Sequence, residues 1–130
     1  ETVLLVSNKY EKFLKNPNFF NVAEEEIQEI TKSAKLTKNS LAKLNTNSQN
    51  LFISHYLNGK ASKICSEAVL YLNNDSNYNN KAILIFGSTN KKLFNETNKT
   101  DYLNVLAKVI SIQFNNLMDY KNERKAQNNF

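Results

Sequence analysis

EAVLYLN (Glu67–Asn73), the polar run NDSNYNN (Asn74–Asn80) and KAILIFGS (Lys81–Ser88) decide the reading of this chain. Two apolar runs of strand length joined by a short Asn/Asp/Ser-rich segment predict an antiparallel hairpin. Neither run alternates cleanly between apolar and polar residues. They therefore read as central strands covered on both faces.

Further elements follow on either side. TVLLVS (Thr2–Ser7) is a short apolar strand rich in β-branched residues. Between residues 8 and 20, YEKFLK suggests one or two helical turns. Asn16-Pro17-Asn18 marks a turn, and Phe19-Phe20 returns to the core. Asn21, with Glu24 three residues on, has the pattern of a capping box. The helix it starts presents Ala23, Ile27, Ile30 and Ala34 on one face and runs to about Ser33. SLAKL (Ser40–Leu44) reads as a short edge strand, its lysine suited to an edge. Thr46 and Gln49 form a second capping-box pattern ahead of LFISHYL, with Gly59 placed to stop that helix.

The last element is a helix from about Thr100 to Lys125, with Lys121, Arg124 and Lys125 favouring its C-terminal end. Leu103, Leu106, Ile110 and Leu117 give it one apolar row; Tyr102, Val105, Val109 and Ile112 give it a second. Together these rows are wider than one sheet face requires. The expected fold is α+β: a central, mainly antiparallel sheet flanked by helices, with a long C-terminal helix.

At 130 residues a single core removes roughly two-thirds of the unfolded surface from water, so no disulfide or metal staple is needed. The sequence contains 23 asparagines and 16 lysines beside one arginine, a bias that points to an AT-rich source rather than to chemistry. Its three Asn-x-Ser/Thr sequons (at Asn74, Asn95 and Asn98) are accounted for by that excess. Cys65 is alone, which fits a reducing, cytoplasmic setting. No apolar run approaches the ~20 residues of a membrane span. The opening at Glu1, directly into an apolar run, reads as a cut from a longer protein. The net charge of +5 invites a nucleic-acid reading through Lys32, Lys35, Lys38 and Lys43. These follow the acidic group Glu24–Glu26 and Glu29, and a mildly basic solvated surface explains them better.

Catalytic options are few. His55 is the one histidine, and nothing around it or Cys65 resembles a nucleophile motif. One His and one Cys fall short of a zinc set, so neither metal nor cofactor is expected. Cys65 itself reads as a small buried hydrophobe. With two glycines in the chain, a P-loop and a dinucleotide fingerprint are both out of reach. Gly87 reads as freedom for the turn out of its strand. The aromatics Phe19, Phe20, Phe52, Tyr56, Tyr71, Tyr78, Phe86 and Phe94 lack the alternating pattern of a base-stacking sheet and read as core.

Leu51-Phe52, Ser66-Glu67-Ala68-Val69-Leu70, Ile83-Leu84-Ile85-Phe86-Gly87-Ser88, Phe94 and the helix from Leu103 to Leu117 occur in an order that resembles a known family. It is the C-terminal part of the bacterial "domain of unknown function 484" family. The resemblance spans roughly residues 48–118; residues 1–47 fit only its general outline. It implies a single GAF-like domain over residues 1–130, lacking an upstream helical segment. It also implies a small-molecule pocket between the sheet and its covering loops, and a homodimer through terminal helices. On that basis Phe20, Phe52 and Tyr56 would supply apolar pocket walls and His55 a polar contact. Val105, Val109 and Ile112 would form the interface. The signature of cyclic-nucleotide-binding GAF domains is absent, because Asn90-Lys91 stands where Asp-Glu is required. Cys65, ahead of a core strand, does not suit bilin attachment. Two expectations result: a non-enzymatic sensory or regulatory domain binding a small molecule, or a ligand-free module that dimerises or docks a protein.

Overall fold

The computed structural model describes residues 1–7, 17–37, 39–46, 51–57, 63–73, 81–95 and 100–128. The expected turns at 8–16, Gln49 of the second capping box, the Gly59 stop and the Asn74–Asn80 loop lie outside them. Five strands form one mixed sheet: β1 (Thr2–Ser7), β2 (Phe19–Val22), β3 (Ala42–Asn45), β4 (Ser66–Asn73) and β5 (Lys81–Ser88). Their spatial order is β2-β1-β5-β4-β3. All neighbouring pairs are antiparallel except β1 and β2, which run parallel. The β4–β5 hairpin thus lies inside the sheet, as its continuous apolar runs require.

Among the described residues α1 (Glu24–Ser33), the short 3₁₀ helix η1 (Phe52–His55) and α2 (Asp101–Asn128) accompany the strands. Side chains alternate between sheet faces along each strand, and this sorts the helices. Phe114 of α2 clusters with Val6, Phe19, Leu72 and Ala82. Gly87, an odd number of residues from Ala82 along β5, faces Ile53 of η1. Hence α2 covers one face and η1 the other. α1 packs against β1 and β5, while α2 packs against β4 and β3. Asn104 Oδ1 accepts from the Leu41 amide at 2.7 Å, tying α2 to the entry of β3. No helix among the described residues is long and apolar enough to cross a membrane.

Helix α1 begins two residues later than its capping-box pattern predicts. Asn21 belongs to β2, where its side chain donates to the Ser7 carbonyl at 3.4 Å. Ala23 is the exposed N-cap and has no side-chain cap. Pairing with β1 holds Asn21 extended. The helix N-terminus is served instead by the charges of Glu24, Glu25 and Glu26. Ile27 and Ile30 carry the buried face. The helix ends with Lys35 at φ 55°, and the Leu36 amide closes back to the Thr31 carbonyl at 2.8 Å. That is the Schellman arrangement, with lysine where glycine is usual.

The first row of α2 is half-buried at Leu103, Leu106 and Ile110, with Ala107 and Phe114 fully on the sheet side. Two buried polar residues complete that side. Ser111 Oγ donates to the Ala107 carbonyl at 2.6 Å, and Asn115 Nδ2 donates to the Ser111 carbonyl at 2.9 Å. The four members of the second row, with Leu117, are exposed.

Candidate functional site

The segment LFISHYL does not form the helix expected of it. It makes one 3₁₀ turn, and the cap comes from another strand. Glu67 of β4 is fully buried. Its Oε2 accepts from the Phe52 amide and its Oε1 from the Ile53 amide, each at 2.9 Å. Asn45 Nδ2, directly across the β3–β4 ladder, donates to Oε2 at 2.9 Å. A carboxylate is well suited to this place, because it accepts at both oxygens and favours a helix N-terminus. Burial pushes the Glu67 carboxyl above the usual carboxylate range. The Ile53 and Phe52 amides, Asn45 and His55 pull it back part of the way.

Opposite Glu67 on β5 stands Gly87. A Cβ there would lie 2.8 Å from Ile53 Cδ1 and 3.1 Å from Ile64 Cγ2. The residue is therefore needed for close approach inside the strand, not for the turn beyond it. Gly87 lets η1 come near the sheet, and Glu67 holds its amides.

Seated in this way, η1 and the residue after it face α1 across a cleft of about 280 Å³. Phe52, His55 and Tyr56 form one wall; Glu26, Glu29, Ile30 and Ser33 form the other. The volume lies just below the roughly 300–1,000 Å³ of most small-molecule pockets. The Tyr56 hydroxyl donates a short hydrogen bond to Glu26 Oε1, linking the walls. Burial, together with this carboxylate, raises the Tyr56 phenol well above its ordinary range. Behind it, the Phe20 and Tyr56 rings meet at 5.4 Å with a 52° tilt, a favourable aromatic geometry.

Of the four residues expected to line a pocket, Phe52, His55 and Tyr56 do so, and Phe20 supports Tyr56 from outside the cleft. Glu26, Glu29 and Ser33 were not among the expected site residues, the glutamates having been read only as an acidic group ahead of the lysines. Their spacing of three and four residues was the available signal, since it puts all three on one helix face. Cys65 is half-buried rather than buried, and its thiol donates to the Lys63 carbonyl at 3.7 Å. Among the described residues no three His, Cys, Asp or Glu side chains converge as a metal site would require. On α2, Tyr102, Val105, Val109 and Ile112 are 76%, 60%, 47% and 53% exposed. No family model, curated protein or solved structure matches the chain.

Proposed function

We propose that the chain is a GAF-like sensory or regulatory domain that binds a small molecule in the cleft between α1 and η1. The observation that carries this reading is the cleft itself, with aromatic, acidic and imidazole groups around a space of about 280 Å³. The cleft lies between two segments that cover one face of the sheet, with no strand residue in its described lining, whereas the family resemblance implies a pocket between the sheet and its covering loops. The domain acts by binding rather than by catalysis.

Ser33→Trp tests the reading, because Ser33 is exposed at the end of α1 and an indole there occupies the cleft without disturbing the core. In a thermal-shift screen of metabolites, a ligand at ten times its Kd raises the wild-type Tm by about 4 °C. The same ligand leaves Ser33→Trp unmoved. If every stabilising compound acts equally on both proteins, the cleft is not the site.

A second reading has its own observation, the exposed row on α2. The intervals Tyr102–Val105–Val109–Ile112 are three, four and three, symmetric about the middle. An antiparallel two-fold pairing would set Val105 of one copy against Val109 of the other and Tyr102 against Ile112. Sedimentation equilibrium is expected to show a dimer that Val109→Glu converts to monomer. A wild-type monomer at several hundred micromolar would remove this reading.

A further inference from the structure

Resting on the reading of the cleft as a binding site, we propose that its ligand is a small organic cation: an amine or guanidinium carried on an apolar or aromatic body. Glu26 and Glu29, three residues apart on α1, both line the cleft. Among the described residues no lysine or arginine lines it, although the chain as a whole carries a charge of +5. The cleft is therefore a negative site on a positive molecule. An anion entering it meets two carboxylates, and a neutral ligand desolvates them without return. A cation answers both.

The other groups in the cleft fit the same partner. Tyr56 donates its hydroxyl proton to Glu26, which fixes that carboxylate beside the aromatic wall rather than leaving it to solvent. Phe52 and Tyr56 are aromatic lining residues of a kind that attracts a positive group to the ring, and Ile30 adds an apolar side chain for the body that carries it. A metal ion is the competing cation. A dedicated site built from protein side chains alone gathers several ligands, and no group of three or more His, Cys, Asp or Glu exists among the described residues. The aromatic walls and missing ligands together select an organic cation over an inorganic one.

Three probes of nearly equal size and different charge provide the test: benzylamine, benzyl alcohol and benzoate, titrated into the ¹⁵N-labelled chain. Benzylamine is expected to shift the Glu26–Ile30 and Phe52–Tyr56 amides saturably, with a Kd in the millimolar range usual for so small a ligand. Glu26→Gln and Glu29→Gln should each weaken it about tenfold, with amides away from the cleft unchanged. Glu29→Gln leaves the Tyr56 hydrogen bond in place, so its effect isolates charge from wall geometry. Saturable binding of benzoate or benzyl alcohol as tight as that of benzylamine would overturn the cation assignment and leave the binding cleft standing. Silence from all three probes at these amides would overturn both.

Discussion

Glu67→Ala is expected to lower the stability of the domain by about 3 kcal/mol, measured by urea denaturation at neutral pH. Its cost lies in the Phe52 and Ile53 amides, which lose the carboxylate that accepts from both. The Ile53 amide is buried, and a buried donor without an acceptor costs roughly 1–3 kcal/mol. The loss also reaches the cleft, because η1 carries Phe52, His55 and, one residue on, Tyr56. A loss under about 1 kcal/mol would mean that other contacts hold η1 in place.

The pH dependence of this site separates two opposing effects. Burial raises the folded-state pKa of Glu67 above its unfolded value near 4.5, while the amides, Asn45 and His55 lower it, and burial prevails. Between the two values the native state binds more proton than the unfolded state, so the Glu67 contribution falls as pH rises. It is fully present below 4.5 and lost through the folded pKa. Glu67→Gln cannot titrate. The stability difference, wild type minus Glu67→Gln, should therefore shrink as pH rises from 4.5 towards 8. A difference that holds level above 4.5 and falls only as the pH drops below it would show that the three hydrogen bonds outweigh desolvation.

Most of the sheet was legible because its signals are local. The apolar runs of β1, β4 and β5 need no partner to be recognised, and Lys43 marked β3 as an edge. What escaped detection depends on contacts distant in sequence. β2 is four residues long and is held by parallel pairing with β1, which is why Asn21 is drawn into a strand despite its capping pattern. η1 depends on a carboxylate that lies 14 and 15 residues from the amides it serves. Local pattern therefore pointed to Thr46 and Gln49 instead. The cleft was half legible for the same reason. Phe52, His55 and Tyr56 are neighbours in sequence, whereas Glu26, Glu29 and Ser33 join them only through the packing of α1 and η1 on a shared face. The surplus row on α2 was legible because a helix shows its whole circumference in its period.

Gly87→Ala is expected to cost about 2 kcal/mol, although alanine suits a strand better than glycine. The added methyl would lie 2.8 Å from Ile53 Cδ1 and 3.1 Å from Ile64 Cγ2. Cδ1 ends a flexible side chain, but Ile53 is wholly buried and has little room to turn away. Cγ2 of Ile64 is attached at the β-branch, where χ1 is restricted, so it has little freedom to swing aside. The strain therefore passes into η1, the element that shapes the cleft. Ile53→Val provides the decisive partner, because it deletes the nearest atom and by itself costs about 1 kcal/mol. If the clash with Cδ1 is the cause, the double variant will be more stable than the sum of the singles by at least about 1 kcal/mol. Additive losses would place the cost elsewhere. The same cycle reports on the cleft: benzylamine affinity should fall in Gly87→Ala and return in the double variant. A glycine chosen for close approach thus makes the sheet and the binding wall one mechanical unit, whose coupling is measurable from either side.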